Sequence, residues 1–149
     1  MIERRTFLIG SAAFAALSAC QPSGPGSVTI SAQGSAGMNP GPDGADRPLT
    51  LQVIQLRGAG SFDSADFFAL QNPLGLGADF IKADTITLAP GGPASKTIGL
   101  DPGTTVIGVV AGFREPGGKQ FRAKSAVSAT STVAFSVVVG SGGVTLTPA

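Results

Sequence analysis

TVIGVVAGFR, residues 105–114, carries apolar side chains at successive positions, so both faces of an extended chain would be apolar there. A strand of that kind belongs in the middle of a sheet, covered on both sides. DPGT at 101–104 precedes it and places Pro102 and Gly103 at the central positions that a type II turn favours. Further upstream, residues 85–88 and 97–100 predict two strands separated by APGGPA. Downstream, Glu115, Pro116, Gly117 and Gly118 predict a turn before KQFR, and VAFSVVV at 133–139 with VTL at 144–146 flank GSGG as a closing hairpin.

The first half of the chain adds two strands and one exception. VTISAQ at 28–33 alternates Val28, Ile30 and Ala32 with polar residues, as a half-buried strand does. LTLQVIQLR at 49–57 alternates Leu49, Leu51 and Val53, then changes phase to Ile54 and Leu56, which predicts a β-bulge near Val53. About seven short strands at such spacing predict an all-β fold, a two-layer β-sandwich. The exception is SFDSADFFALQ at 61–71, which lacks Gly and Pro and predicts one short inserted helix, with Ser61 as N-cap and Asp63 and Asp66 in its first turn. Phe67, Leu70 and Gln71 would share one side of it, and Phe68 points well away, either packed on the sandwich or left at the rim as a secondary partner-binding candidate.

Ahead of these elements, Arg4 and Arg5 precede an apolar run and the small residues Ser18 and Ala19. Residues 1–19 therefore read as an export signal, too short in its apolar part for a membrane span of about 20 residues. LSAC at 17–20 resembles the lipobox of bacterial lipoproteins, in which the cysteine is lipidated and becomes the first residue after cleavage; Cys20 is thus the expected lipidation site. Arg4-Arg5-Thr6-Phe7-Leu8 also resembles the twin-arginine export pattern, with the Sec route open as well. Gln21, where an Asp would suggest inner-membrane retention, points to the outer membrane, facing the periplasm. Residues 20–27 read as a lipidated tether and residues 28–149 as the sandwich domain.

After residue 19 the chain has 8 basic and 8 acidic residues, so it has no electrostatic footprint for nucleic acid. It has no histidine, and its one cysteine is Cys20. Neither a Ser-His-Asp triad nor a His-ligated metal site can be built, so no catalytic residue, metal or cofactor is expected. GLGADF at 75–80 lacks the third glycine of a dinucleotide fingerprint and follows Asn72-Pro73 instead of a strand, which predicts a loop.

The connection between the first two strands, GSAGMNPGPDGADRP at 34–48, is about as long as structureless loops become in compact domains. Met38 held out on it, with Asn39, Pro40, Asp43, Asp46 and Arg47, suits a protein-binding tip; a mobile solvated loop is the other reading. In order, the lipoprotein signal, this loop, LQVIQL, SFDSADFFAL, GAD and VIGVVAGFRE resemble the TssJ family (VasD, SciN), the outer-membrane lipoproteins of type VI secretion. Val106 and Phe121 stand where that family often has Tyr and Trp.

The resemblance implies a transthyretin-like β-sandwich with an added helical element. It also implies a non-enzymatic role: binding the periplasmic C-terminal domain of the inner-membrane protein TssM, with TssL in the same complex. It places Met38, Asn39, Pro40, Asp43, Asp46 and Arg47 in the partner contact. The alternative from another class is a lipid-anchored periplasmic carrier sandwich, which predicts a sizeable internal cavity near Phe67 and Phe80.

Overall fold

The structure, a computed structural model, describes residues 24–149. The signal segment, Cys20 and the first part of the tether lie outside the described residues.

Eight strands form two four-stranded sheets. One sheet contains β1 (Ser27–Gly34), β4 (Pro93–Gly99), β7 (Thr132–Gly140) and β8 (Gly143–Pro148), in the order β4-β1-β7-β8. The other contains β2 (Leu49–Leu56), β3 (Phe80–Leu88), β5 (Val106–Ala111) and β6 (Arg122–Ala126), in the order β3-β2-β5-β6. β1 runs parallel to β7, and the other pairings are antiparallel. The all-β two-layer reading is therefore correct. β6, RAKSA, is a strand that its composition did not announce; it pairs with β5 from Val110↔Arg122 to Val106↔Ala126.

Turn chemistry sets the connections as expected. Gly103 has φ of 89° and Thr104 N–H donates to the Asp101 carbonyl at 3.2 Å, closing the DPGT turn before β5. Gly140↔Gly143 closes the β7–β8 hairpin. The fold begins slightly before Val28: Gly26 N–H donates to the Ala129 carbonyl at 2.7 Å, and a Cβ there would collide with the Ser131 backbone.

The interior faces of both sheets meet in one core that includes Val28, Ile30, Leu51, Val53, Ile107, Val109, Phe135 and Val137. Burial of each such side chain stabilises by about 1.5–3 kcal/mol relative to exposure. A second core lies on the outer face of β2 and β5, where Ile54, Leu56 and Val110 pack with Phe62, Leu70 and Leu76. This second core corrects the reading of LQVIQL. The pairing of β2 with both neighbours is regular through Val53 and Ile54, and a shift occurs only between Gln55 and Leu56 against β3. The apolar phase doubles because β2 is covered on both faces there, and Gln55 occupies the interior slot.

The expected single helix is instead two short turns, α1 (Gly60–Ser64) and α2 (Phe67–Leu70), followed by a 3-10 segment, Pro73–Asp79. One acid imposes the break. Asp66 turns extended and caps α2, its carboxylate accepting from Ala69 N–H at 2.8 Å. Ser61 is not an N-cap; its N–H donates to Asp79 Oδ2 at 3.1 Å, which ties the start of α1 to the end of the 3-10 segment. Arg122 Nη1 donates to the Phe62 and Ala65 carbonyls and holds α1 against β6.

Candidate functional site

Residues 34–48 connect the two sheets at one end of the sandwich, and they are built from the inside outward. Met38 is 0% exposed and belongs to the main core, its sulfur packed so closely on Gly34 that a Cβ there would lie 2.6 Å from it. The expectation that Met38 stands out from the loop is thus overturned. A flexible thioether fills the gap where the chain leaves β1, because burying it gains more than exposing it.

Asn39 is also buried, at 4% exposure, and its amide is fully engaged. Its Nδ2 donates to the Pro48 carbonyl at 3.1 Å and at longer range to that of Arg47, while Oδ1 accepts from Arg114 N–H at 2.9 Å. Asp46 is half-buried, and its carboxylate faces inward, accepting from Gly37 N–H at 2.8 Å and Asn39 N–H at 3.2 Å. Pro40 and Asp46 form an isolated β-bridge, and Arg47 N–H donates to the Asn39 carbonyl at 2.7 Å. The loop is therefore a braced unit of the kind whose own side chains pack it.

Of the six residues singled out here, Asp43 and Arg47 are left facing solvent. They form an ion pair at 3.0 Å, and the guanidinium lies over Gly41, where any Cβ would meet it at 2.9 Å. The Ala45 N–H first, and the Arg47 side chain second, hold the Asp43 carboxyl below its usual range. Beside this loop, the β5–β6 connection carries a second exposed pair, Arg114 to Glu115 at 3.1 Å. In the sequence Arg114 reads only as the end of a strand, not as a site residue, although a charged pair directly after a strand buried on both faces marks a chain leaving the core.

The helical layer presents a different surface. Phe67 packs edge-on against Phe121, with ring centres 5.3 Å apart, while Phe68 is 78% exposed and Leu74 71% exposed. Phe68 borders an open groove lined by Ser61, Ala65, Ala69 and Leu76 among others. Phe80 packs against the second core. Asp63 pairs with Lys124, and Asp66 caps α2, so both carboxylates have structural work. Among the described residues, no group of three or more Cys, Asp or Glu converges as metal ligands would.

Fold and site together define a small two-sheet sandwich with a helical layer on one sheet and a braced loop at one end. The chain belongs to the family described as "Type VI secretion lipoprotein, VasD, EvfM, TssJ, VC_A0113", which it matches over residues 26–142. No curated protein matches it in sequence. Among solved structures it is similar to the type VI secretion lipoprotein TssJ1 of Pseudomonas aeruginosa, at 26% identity and a TM-score of 0.76, over 85% of this chain and 98% of that one. A chain in a structure described as "Type VI membrane complex" is 25% identical with a TM-score of 0.72, over 84% of this chain and 100% of that one. A chain in a structure described as the TssM C-terminal domain (869–1107) from EAEC shares the fold at 24% identity and a TM-score of 0.67, over 83% of this chain and 98% of that one.

Proposed function

We propose that this protein is a non-catalytic lipoprotein of the type VI secretion membrane complex. It is held in the outer membrane by lipid on Cys20, faces the periplasm, and binds the periplasmic C-terminal domain of TssM. TssL is reached through the same complex. Family membership and the likeness to a chain of a type VI membrane complex support this reading. The observation that carries it is the braced loop, in which Met38, Asn39 and Asp46 hold residues 40–47 in place before any partner arrives. A loop ordered in advance loses little conformational entropy on binding, so more of the contact energy becomes affinity.

The mechanism is mechanical. Each buried methylene of an acyl chain contributes about 0.8 kcal/mol, so several chains fix one end of the molecule in the bilayer. The sandwich then transmits tension between that end and the loop. Calorimetric titration of the TssM periplasmic domain into the mature lipoprotein in detergent tests the reading. Replacing the exposed Asp43 and Arg47 by Ala should weaken binding about tenfold, about 1.4 kcal/mol. A loss on Phe68→Ala alone would move the contact to the helical layer. No binding between two folded proteins would overturn the proposal.

A further inference from the structure

The two exposed ion pairs at this end, Asp43 with Arg47 and Arg114 with Glu115, sit on loops far apart in sequence, and one buried side chain joins those loops. All the groups that Asn39 binds with its amide are backbone atoms: the carbonyls of Arg47 and Pro48 on one loop and the N–H of Arg114 on the other. Those partners also determine which way the amide faces, because carbonyls need a donor and an N–H needs an acceptor. An amide buried this deeply costs stability unless its bonds are made, and they are made only while both loops keep their spacing.

The second loop is as well braced as the first. Phe113 is buried in the main core directly before Arg114. At the other end, Lys119 Nζ lies 5.3 Å from the Phe113 ring centre and donates to the Ser141 carbonyl at 2.8 Å. Between them, Lys119 N–H donates to the Pro116 carbonyl at 3.0 Å, closing a turn in which Gly118 has φ of 77°. Two braced loops, linked through Asn39, therefore present charges of both signs at one end of the sandwich. Exposed pairs of this kind contribute little to folding, which leaves their charges available to a partner.

We propose that residues 112–120 and 40–47 form one interaction surface for a protein face bearing charges of both signs, with Arg114 and Glu115 in direct contact and Asn39 as the positioning residue that sets the distance between the loops. The proposal rests on the reading above, that this end receives the TssM domain. Charge alternation of this kind selects register and speeds encounter more than it adds affinity, so association should slow as salt rises.

The test titrates the TssM periplasmic domain into the mature lipoprotein in detergent, comparing native chain, R114A/E115A, D43A/R47A and the four-fold variant, each with Asn39 kept and with Asn39→Ala, with circular dichroism melting as the control for folding. R114A/E115A should bind about tenfold more weakly with an unchanged melt. The four-fold variant should lose affinity by a factor different from the product of the separate losses, because neighbouring contacts on one surface couple. In the Asn39→Ala background that coupling should disappear, an effect that mere destabilisation would not produce. Native-like binding by R114A/E115A, with D43A/R47A weakened, would overturn the two-loop surface and leave the loop reading intact. Coupling that persists without the Asn39 amide would remove its positioning role. Failure of the native chain to bind would overturn the underlying reading itself.

Discussion

Gln55 lies wholly inside the sandwich, and its amide makes three bonds that tie β2 to the connection between β4 and β5. Nε2 donates to the Gly99 carbonyl at 3.0 Å, while Oε1 accepts from Asp101 N–H and from Thr104 Oγ1, each at 2.8 Å. Gln55→Leu would keep the volume but strand those partners, and each unsatisfied buried group costs about 1–3 kcal/mol. Urea unfolding should therefore show a loss of about 2–4 kcal/mol; a variant as stable as the native chain would mean that water replaces the amide without penalty. Asn39 uses the same chemistry at the opposite end of the sandwich. In both cases a polar residue inside an apolar setting marks a place where loops are held to the core.

At the scale of elements, β5 shows why residues 106–113 carry no polar side chain. Ile107, Val109 and Ala111 face the sandwich core, and Val106 and Val110 face the helical layer. Gly108 lies on that second face because the Phe62 ring of α1 occupies the space of its side chain, and a Cβ would meet the ring at 2.7 Å. Gly108→Ala should overpack this contact and destabilise the protein by about 1–3 kcal/mol. Amide exchange should quicken in α1 well before it does in β1 and β7, since the ring that docks α1 is displaced while the main core is untouched. Unchanged exchange in α1 would show that Phe62 can turn aside at no cost.

The molecule as a whole has no histidine, the side chain whose ordinary pKa lies between pH 5 and 8. Its melting temperature should accordingly be nearly flat across that range. Asp43 adds one acid-side feature. Its carboxyl titrates lower in the folded loop than the ordinary 3.8, so its contribution is complete above that value and is lost as pH falls through the folded pKa. A scanning-calorimetry series from pH 8 to pH 3 that showed a pronounced step near pH 6 would contradict this.

Periodicity and turn chemistry in the sequence determined most of the strands, the Pro-Gly turn before β5 and the closing hairpin, because each depends on residues within a few positions of one another. The resemblance to type VI secretion lipoproteins and the match over residues 26–142 agree. The tertiary structure alone decided which way individual side chains face. Met38 turns inward because Gly34 and the core leave a space that its thioether fills. The helix breaks at Asp66 because capping there lets Leu70 and Phe62 both reach the outer face of β2. The two end loops become neighbours only because β2 and β5 pair, which brings Asn39 against Arg114 across 75 positions of sequence. Local pattern can specify a strand, but a contact of that range exists only once the sheets have assembled.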